Sequence, residues 1–373
     1  LAIFKATIKK IKANPRIGEF NPMKMKNSIC NKAVFMFAAM TALMSGSIIS
    51  GAPSDDSELR TVALTSSLDG TEQKSLFYVP AEGALDKKGA PVPLLVALHT
   101  WSGDYTQCKG CPKAQKWAMI APDFRGPNVR PEACASKLAI QDVLDAVEYA
   151  KKNARIDESR IYLCGLSGGG HMALMMAAKA PEIWAGVSAW VPISDLAAWH
   201  ASGNYRKSME GSCGGAPGTP AIDAEYKARS PIHFLPAAKG VPLDINAGIH
   251  DGHKGSVPIS QSLNAFNVMA EANGLKDKQI PVADIDFMTR EQKVPDSLAA
   301  ETENDSERNR AVLFRRVAGP VRVSIFEGGH EAEIAAAWKW LARQKKGSPA
   351  NFEVPKSALE TKKEIPEVKQ VEK

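Results

Sequence analysis

The pentapeptide Gly165-Leu166-Ser167-Gly168-Gly169 is the sharpest chemical signal in the chain. The apolar run Arg160–Cys164 leads into it, and a helix-patterned stretch, Gly168–Ala180, leaves it at once. A G-x-S-x-G turn between a strand and a helix bends the backbone tightly and leaves the serine hydroxyl at the carboxyl edge of a sheet. Such a turn has no room for side chains at Gly165 and Gly169. The helix that follows aims its amides at the spot where negative charge develops during acyl transfer. Ser167 is therefore the expected nucleophile.

A serine of this kind needs an acid and a base further along the chain, in the order Ser, Asp or Glu, His. Of the seven histidines, only His330 directly follows a late strand-like run, Val321–Phe326, and precedes a last helical pattern, Glu331–Arg343. His330 is the expected general base, then the acid to the leaving group. His171 is too close in sequence to Ser167 for that task. The preceding strand-like run is Pro242–Ala247, and Asp251 just beyond it is the expected carboxylate that orients the imidazole. Asp195 is the fallback, and Asp244 lies inside the strand pattern. His250-Asp251-Gly252-His253 matches no zinc spacing, so neither a metal nor an organic cofactor is expected. The backbone N–H groups of Trp101, after the run Pro93–His99, and of Gly168 are the expected oxyanion donors. Arg125 and Arg130 are candidates to hold a substrate carboxylate, against the plainer role of surface ion pairs. Trp190 and Trp199 are candidates to stack on a sugar or aryl group, against core packing.

These residues need a scaffold that brings the ends of several strands to one edge. Strand-like runs at Thr61–Thr65, Ser75–Val79, Pro93–His99, Trp117–Ala121, Arg160–Cys164, Gly186–Val191, Pro242–Ala247 and Val321–Phe326 supply one. Helical patterns lie between several of them: Leu138–Lys152, Gly168–Ala180, Ser260–Asn273 and Glu331–Arg343. The alternation predicts an α/β fold, a mostly parallel central sheet with helices on both faces, opened by an antiparallel hairpin. Two stretches, about 193–240 and 275–320, read as excursions from the sheet. The catalytic domain is expected over 53–345, and 346–373, rich in Lys, Glu and Pro, reads as a disordered charged tail.

The net charge of +6 would suit a polyanionic partner if it were spread over the fold. It is not. Residues 1–32 hold Lys5, Lys9, Lys10, Lys12, Arg16, Lys24, Lys26 and Lys32 against Glu19 alone, so the remainder is close to neutral and nucleic-acid binding is not expected. Lys24, Lys26 and Lys32 precede the apolar run Ala33–Met44 and a zone of small residues, the pattern of a secretory signal peptide; residues 1–52 are set aside as an N-terminal extension and signal. The apolar run is shorter than a bilayer span, so no stable membrane insertion is expected after cleavage. An exported chain can form disulfides, and bridges among Cys108, Cys111, Cys134 and Cys213 are the expectation, with Cys164 a buried free thiol.

PLLVALHTWSG (93–103), DESRIYLCGLSGGGHMAL (157–174), GIHDGHKGSVP (248–258) and IFEGGHE (325–331) resemble the α/β-hydrolases of the prolyl oligopeptidase catalytic-domain type, close to secreted polysaccharide and feruloyl esterases. The resemblance covers about Ser75–Arg343 and departs from the family where Thr100 stands for a glycine after His99 and where Val257-Pro258 comes late after Asp251. It implies a secreted serine hydrolase that cleaves carboxylic esters, on polysaccharide or aryl substrates, through an acyl-enzyme. About 40 residues between the expected signal cleavage and Pro93 are too few for a β-propeller, each blade of which is a four-stranded sheet. A peptidase lacking the propeller is the alternative, and an inactive binding protein on the same fold is the third reading.

Overall fold

Strands buried on both faces need helices on both sides, and the chain supplies them in turn. The computed structural model describes residues 58–110 and 112–355. The expected export segment, 1–52, and residues 356–373 lie outside the described residues. The elements run β1 (Arg60–Thr65), β2 (Glu72–Tyr78), β3 (Val92–Leu98), β4 (Ala118–Pro122), α1 (Lys137–Asn153), β5 (Ile156–Leu166), α2 (Gly168–Lys179) and β6 (Gly186–Trp190). They continue as α3 (Leu196–Ser202), α4 (Arg206–Cys213), α5 (Pro220–Ala228), β7 (Leu243–Gly248), α6 (Ser260–Ala272), α7 (Val282–Glu291), β8 (Val312–Ala318), β9 (Val321–Phe326) and α8 (Ile334–Ala342).

The nine strands form one sheet in the order β1-β2-β4-β3-β5-β6-β7-β9-β8. The run from β4 to β9 is parallel throughout, and the two edges are closed by the antiparallel pairs β1–β2, β2–β4 and β8–β9. This is the mostly parallel α/β sheet that the strand–helix alternation predicts. The parallel strands β5, β7 and β9 all end at the same edge, so the residues just beyond them, Ser167, Asp251 and His330, are delivered to one side of the molecule.

Helix α1 starts where Ser136 caps it, its side chain accepting from Ala139 N–H. It buries Ala139, Val143, Ala146, Val147 and Ala150 at helical spacing. Helix α2 is buried from Gly168 to Ala178, as befits the central helix behind the elbow. One face of the sheet is covered by a large apolar core that includes Leu94, Val96, Ile161, Leu163, Met172, Met176, Val187, Ile245 and Val323. The opposite face has a smaller cluster with Tyr78, Leu95, Tyr162, Trp190, Phe326 and Trp340.

Two boundaries and the disulfides differ from expectation. Stretch 275–320 is not wholly an excursion: β8 pairs with β9, and Phe314 and Ala318 are buried in the sheet edge. Its adjacent arginines, Arg315 and Arg316, mask the apolar period. Residues 346–355, expected in a disordered tail, are ordered against the fold. Phe352 stacks on Trp340 with ring centroids 5.8 Å apart, Asn351 and Gln344 exchange hydrogen bonds, and Ser306 Oγ donates to Pro355 O. Residues 346–355 are therefore a strap on the fold. Cys108, Cys134 and Cys213 are free thiols, contrary to the expected bridges, Cys164 is a buried free thiol as expected, and Cys111 lies outside the described residues. Burial pushes the Cys108 and Cys164 thiols up to about 12.

Candidate active site

Ser167 sits at φ 58°, ψ −114°, between the last residue of β5 and the first of α2. This is a left-side conformation that a side chain enters only under constraint. The constraint is visible. Ser167 N–H donates to Trp190 O at 2.8 Å, and His171 N–H to Ser167 O at 2.8 Å. A Cβ on Gly165 would lie 2.2 Å from Gly169 O, and one on Gly169 would lie 2.4 Å from Leu98 O. Only glycine lets the elbow close on itself and on β3. Among the described residues the Ser167 hydroxyl has no hydrogen-bond partner.

His330 and Asp251 meet as the chain order predicts. His330 Nδ1 lies 2.7 Å from Asp251 Oδ2. The other carboxylate oxygen accepts from Gly252 N–H at 2.9 Å and Val257 N–H at 3.1 Å, so the buried charge is fully engaged. With Nδ1 on the carboxylate, the imidazole keeps Nε2 for a reacting group. The tight turn before His330 is enforced by backbone: a Cβ on Gly248 would lie 2.3 Å from Gly329 O. Asp195, the fallback acid, caps α3, accepting from Ala198 N–H. Asp244 is bound to Arg322 at 2.7 Å.

The expected oxyanion donors lie side by side. A Cβ on Gly168 would be 2.3 Å from Trp101 N. Gly168 N–H is the first of helix α2, beyond reach of any intrahelical carbonyl. Thr100, which stands where the resembled family has glycine, turns its N–H and hydroxyl to Gln107 Oε1 at 3.1 and 2.9 Å. The next amide, Trp101 N–H, has no acceptor among the described residues. The loop is fastened by His99, whose ring stacks on Phe124 and bonds to the carbonyls of Thr100 and Asp123. His171 is buried, its Nε2 2.7 Å from Arg229 O, and burial holds its pKa down to about 4. It is a neutral wall of the site.

The four candidate substrate residues fare differently. Arg125 is buried, its guanidinium on Asp142, Asp69 and Ser66, where it ties the β1–β2 turn to α1. It has no face left for a substrate carboxylate. Trp190 is buried under Phe326 and donates to Ser188 Oγ, and Trp199 is buried with Nε1 on Ser256 O. Neither indole offers a ring to solvent, so the expected stacking role is not theirs. Arg130 is exposed and donates to Arg125 O at 2.8 Å. His250 contacts Gln292 and Glu327, and His253 contacts Thr289 O, so the pair does not converge on one point.

Beside the elbow, on the α8 side, lies an apolar cavity of about 390 Å³ lined by Leu95, Ala97, Cys108, Cys164, Leu166 and Trp338. It occupies the space between β3, β5 and α8. Among the described residues, the loop 99–117 has short 3-10 turns at Tyr105–Gln107 and Lys113–Gln115.

Residues 135–288 match the sequence model of the prolyl oligopeptidase family. Among solved structures, the chain resembles the acylaminoacyl peptidase of Pyrococcus horikoshii at 15% identity and a TM-score of 0.54, covering 79% of this chain and 43% of that one. An acylaminoacyl peptidase in complex with Z-Gly-Gly-Phe-chloromethyl ketone matches at 17% identity and a TM-score of 0.51, with the same coverage. The chain thus spans less than half the length of these structures. The family match takes in the serine elbow and Asp251, while His330 lies outside it. Residues 135–288 are thus similar to the prolyl oligopeptidase family, and the fold is that of an α/β-hydrolase.

Proposed function

We propose that this protein is an exported serine hydrolase that cleaves carboxylic esters, with Ser167, His330 and Asp251 as its triad and the amides of Trp101 and Gly168 as its oxyanion hole. The observation that carries the reading is the pairing of a serine on a strained elbow with two unclaimed amides beside it. Ser167 Oγ attacks the ester carbonyl and its proton passes to His330 Nε2. The carbonyl oxygen, now negative, is held by the two N–H groups. His330 returns the proton to the departing alcohol, and water repeats the sequence on the acyl-enzyme. Asp251 fixes the imidazole tautomer and stabilises the imidazolium, and its two backbone N–H bonds hold it in place.

The ester preference and the export rest on the sequence motifs and on the basic, apolar and small-residue order of 24–52. A second reading, cleavage of an amide in short peptides, is favoured by the family match over 135–288. Fluorophosphonate labelling of wild type and Ser167→Ala tests the shared chemistry: labelling is expected to vanish in the variant, and labelling at the wild-type rate would sink the serine mechanism. Parallel rates on acetylated sugars, feruloyl esters and peptide anilides separate the two readings. An order of preference with anilides first would overturn the ester assignment.

A further inference from the structure

Trp199 is buried, yet its ring is not wholly covered by the core: Tyr205 lies on it, centroids 5.2 Å apart and planes 25° from parallel. Tyr205 is 43% exposed, one of the few large apolar side chains that the fold leaves in water. Two ties fix its place relative to the site. On one side its carbonyl accepts from Ser208 Oγ at 2.8 Å, and that hydroxyl accepts from Trp101 Nε1 at 3.0 Å, so the loop is bonded to the oxyanion residue. On the other, Asn204 Nδ2 and Trp199 Nε1 both donate to Ser256 O. The neighbouring Gly255 packs so closely that a Cβ there would lie 2.6 Å from His330 Cβ. Tyr205 thus stands at the rim, between the oxyanion loop and the base. Its backbone is at φ 55°, ψ 18°, a left-handed conformation adopted here by an aromatic residue, two positions after Gly203, which is itself left-handed at φ 100°. Strain kept in an exposed aromatic beside a catalytic centre points to a task for that ring.

We infer that Tyr205, backed by Trp199, is a stacking shelf for a pyranose ring in the alcohol part of the substrate, a specificity determinant that rests on the ester reading above. An exposed one-sided shelf bordered by the polar side chains of Asn204, Arg206 and Lys207 suits a ring with an apolar face and a hydroxylated rim. A free aryl ring is better served by an enclosed apolar space such as the cavity at the elbow.

The test compares kcat/KM for a methyl O-acetyl-glucopyranoside with that for ethyl acetate, in wild type, Tyr205→Ala and Tyr205→Phe. The pyranoside-to-ethyl ratio is expected to fall about tenfold in Tyr205→Ala, through KM, and to be restored by Tyr205→Phe. An unchanged ratio, or equal loss on both esters, would overturn the shelf while leaving the esterase reading intact. Selective loss on phenyl acetate alone would overturn the pyranose assignment. If the wild type cleaves no ester, the ester reading fails, and the shelf is then read separately in Ser167→Ala by tryptophan fluorescence. Quenching by glucose, xylose or mannose hexaoses that is lost with Tyr205→Ala supports it, and no response to any of the three refutes it.

Discussion

Strand β7 leads to two buried aspartates with opposite fates. Asp244, inside the strand, is wholly buried and held by Arg322 at 2.7 Å, with Arg308 at 3.9 Å. Burial alone would raise its pKa, but Arg322 and Arg308 outweigh that and hold it down at about 2. It belongs to a network of Arg308, Arg315, Arg322 and Asp305 under α8, all buried, with Arg322 also packed over the rings of Trp340 and Phe352. Asp251, past the strand end, is just as buried but is held by backbone amides and by one half-buried imidazole. A carboxylate matched to guanidinium groups has spent its charge on the fold. A carboxylate matched to amides and a single histidine is, in the proposed mechanism, the one that orients the base. The partner, not the burial, separates structure from chemistry.

The contrast can be broken by experiment. Asp251→Asn should lower kcat about 10⁴-fold with a melting temperature close to wild type, since the geometry survives and the tautomer does not. A variant that loses stability instead would put Asp251 with Asp244. Asp244→Asn should do the reverse: about 3–5 kcal/mol of stability lost in urea titrations, with kcat of the folded fraction unchanged, because buried guanidinium groups are left uncompensated. Gly168→Ala places a methyl against Trp101 N and should cost about 10²–10³ in kcat with KM little altered, the mark of an oxyanion donor displaced. The smallest effect concerns His171. Its folded pKa, about 4, lies below the unfolded value of 6.5. Between these values the unfolded chain binds more protons, so stability is complete above pH 6.5 and falls by about 3 kcal/mol as pH drops toward 4. Urea midpoints across that range should show the slope, and His171→Gln should flatten it.

The sequence foretold the elbow, the late histidine and the carboxylate in part because each follows a strand end with a glycine-rich turn. Positions of that kind are punctuated by glycine, which marks backbone that must turn or approach closely. The apolar strands β3, β5, β6 and β7 were equally legible. What escaped was written in polar residues whose partners lie far away in the chain. β8 hides its sheet period behind Arg315 and Arg316, which bond to Asp305 and Glu301. Arg125 looked like a ligand for anions because its partners, Asp69 and Asp142, are distant in sequence. The aromatic choice went astray for a related reason. Trp199 drew attention by size, whereas the exposed ring is Tyr205, in the polar stretch Gly203-Asn204-Tyr205-Arg206, where an aromatic has no core to serve. An aromatic inside a hydrophilic loop is the signal that could have found it.

The strap at 346–355 sets where the chain can be cut. A fragment ending at Arg343 or Lys345 would strip the cover from Trp340 and from the guanidinium that neutralises Asp244, wetting an ion cluster that the fold keeps dry. A fragment ending after Pro355 retains both covers and the bond from Ser306. For expression, immobilisation or fusion, the point of attachment therefore belongs beyond Pro355, and a handle placed ten residues earlier would weigh on that cluster.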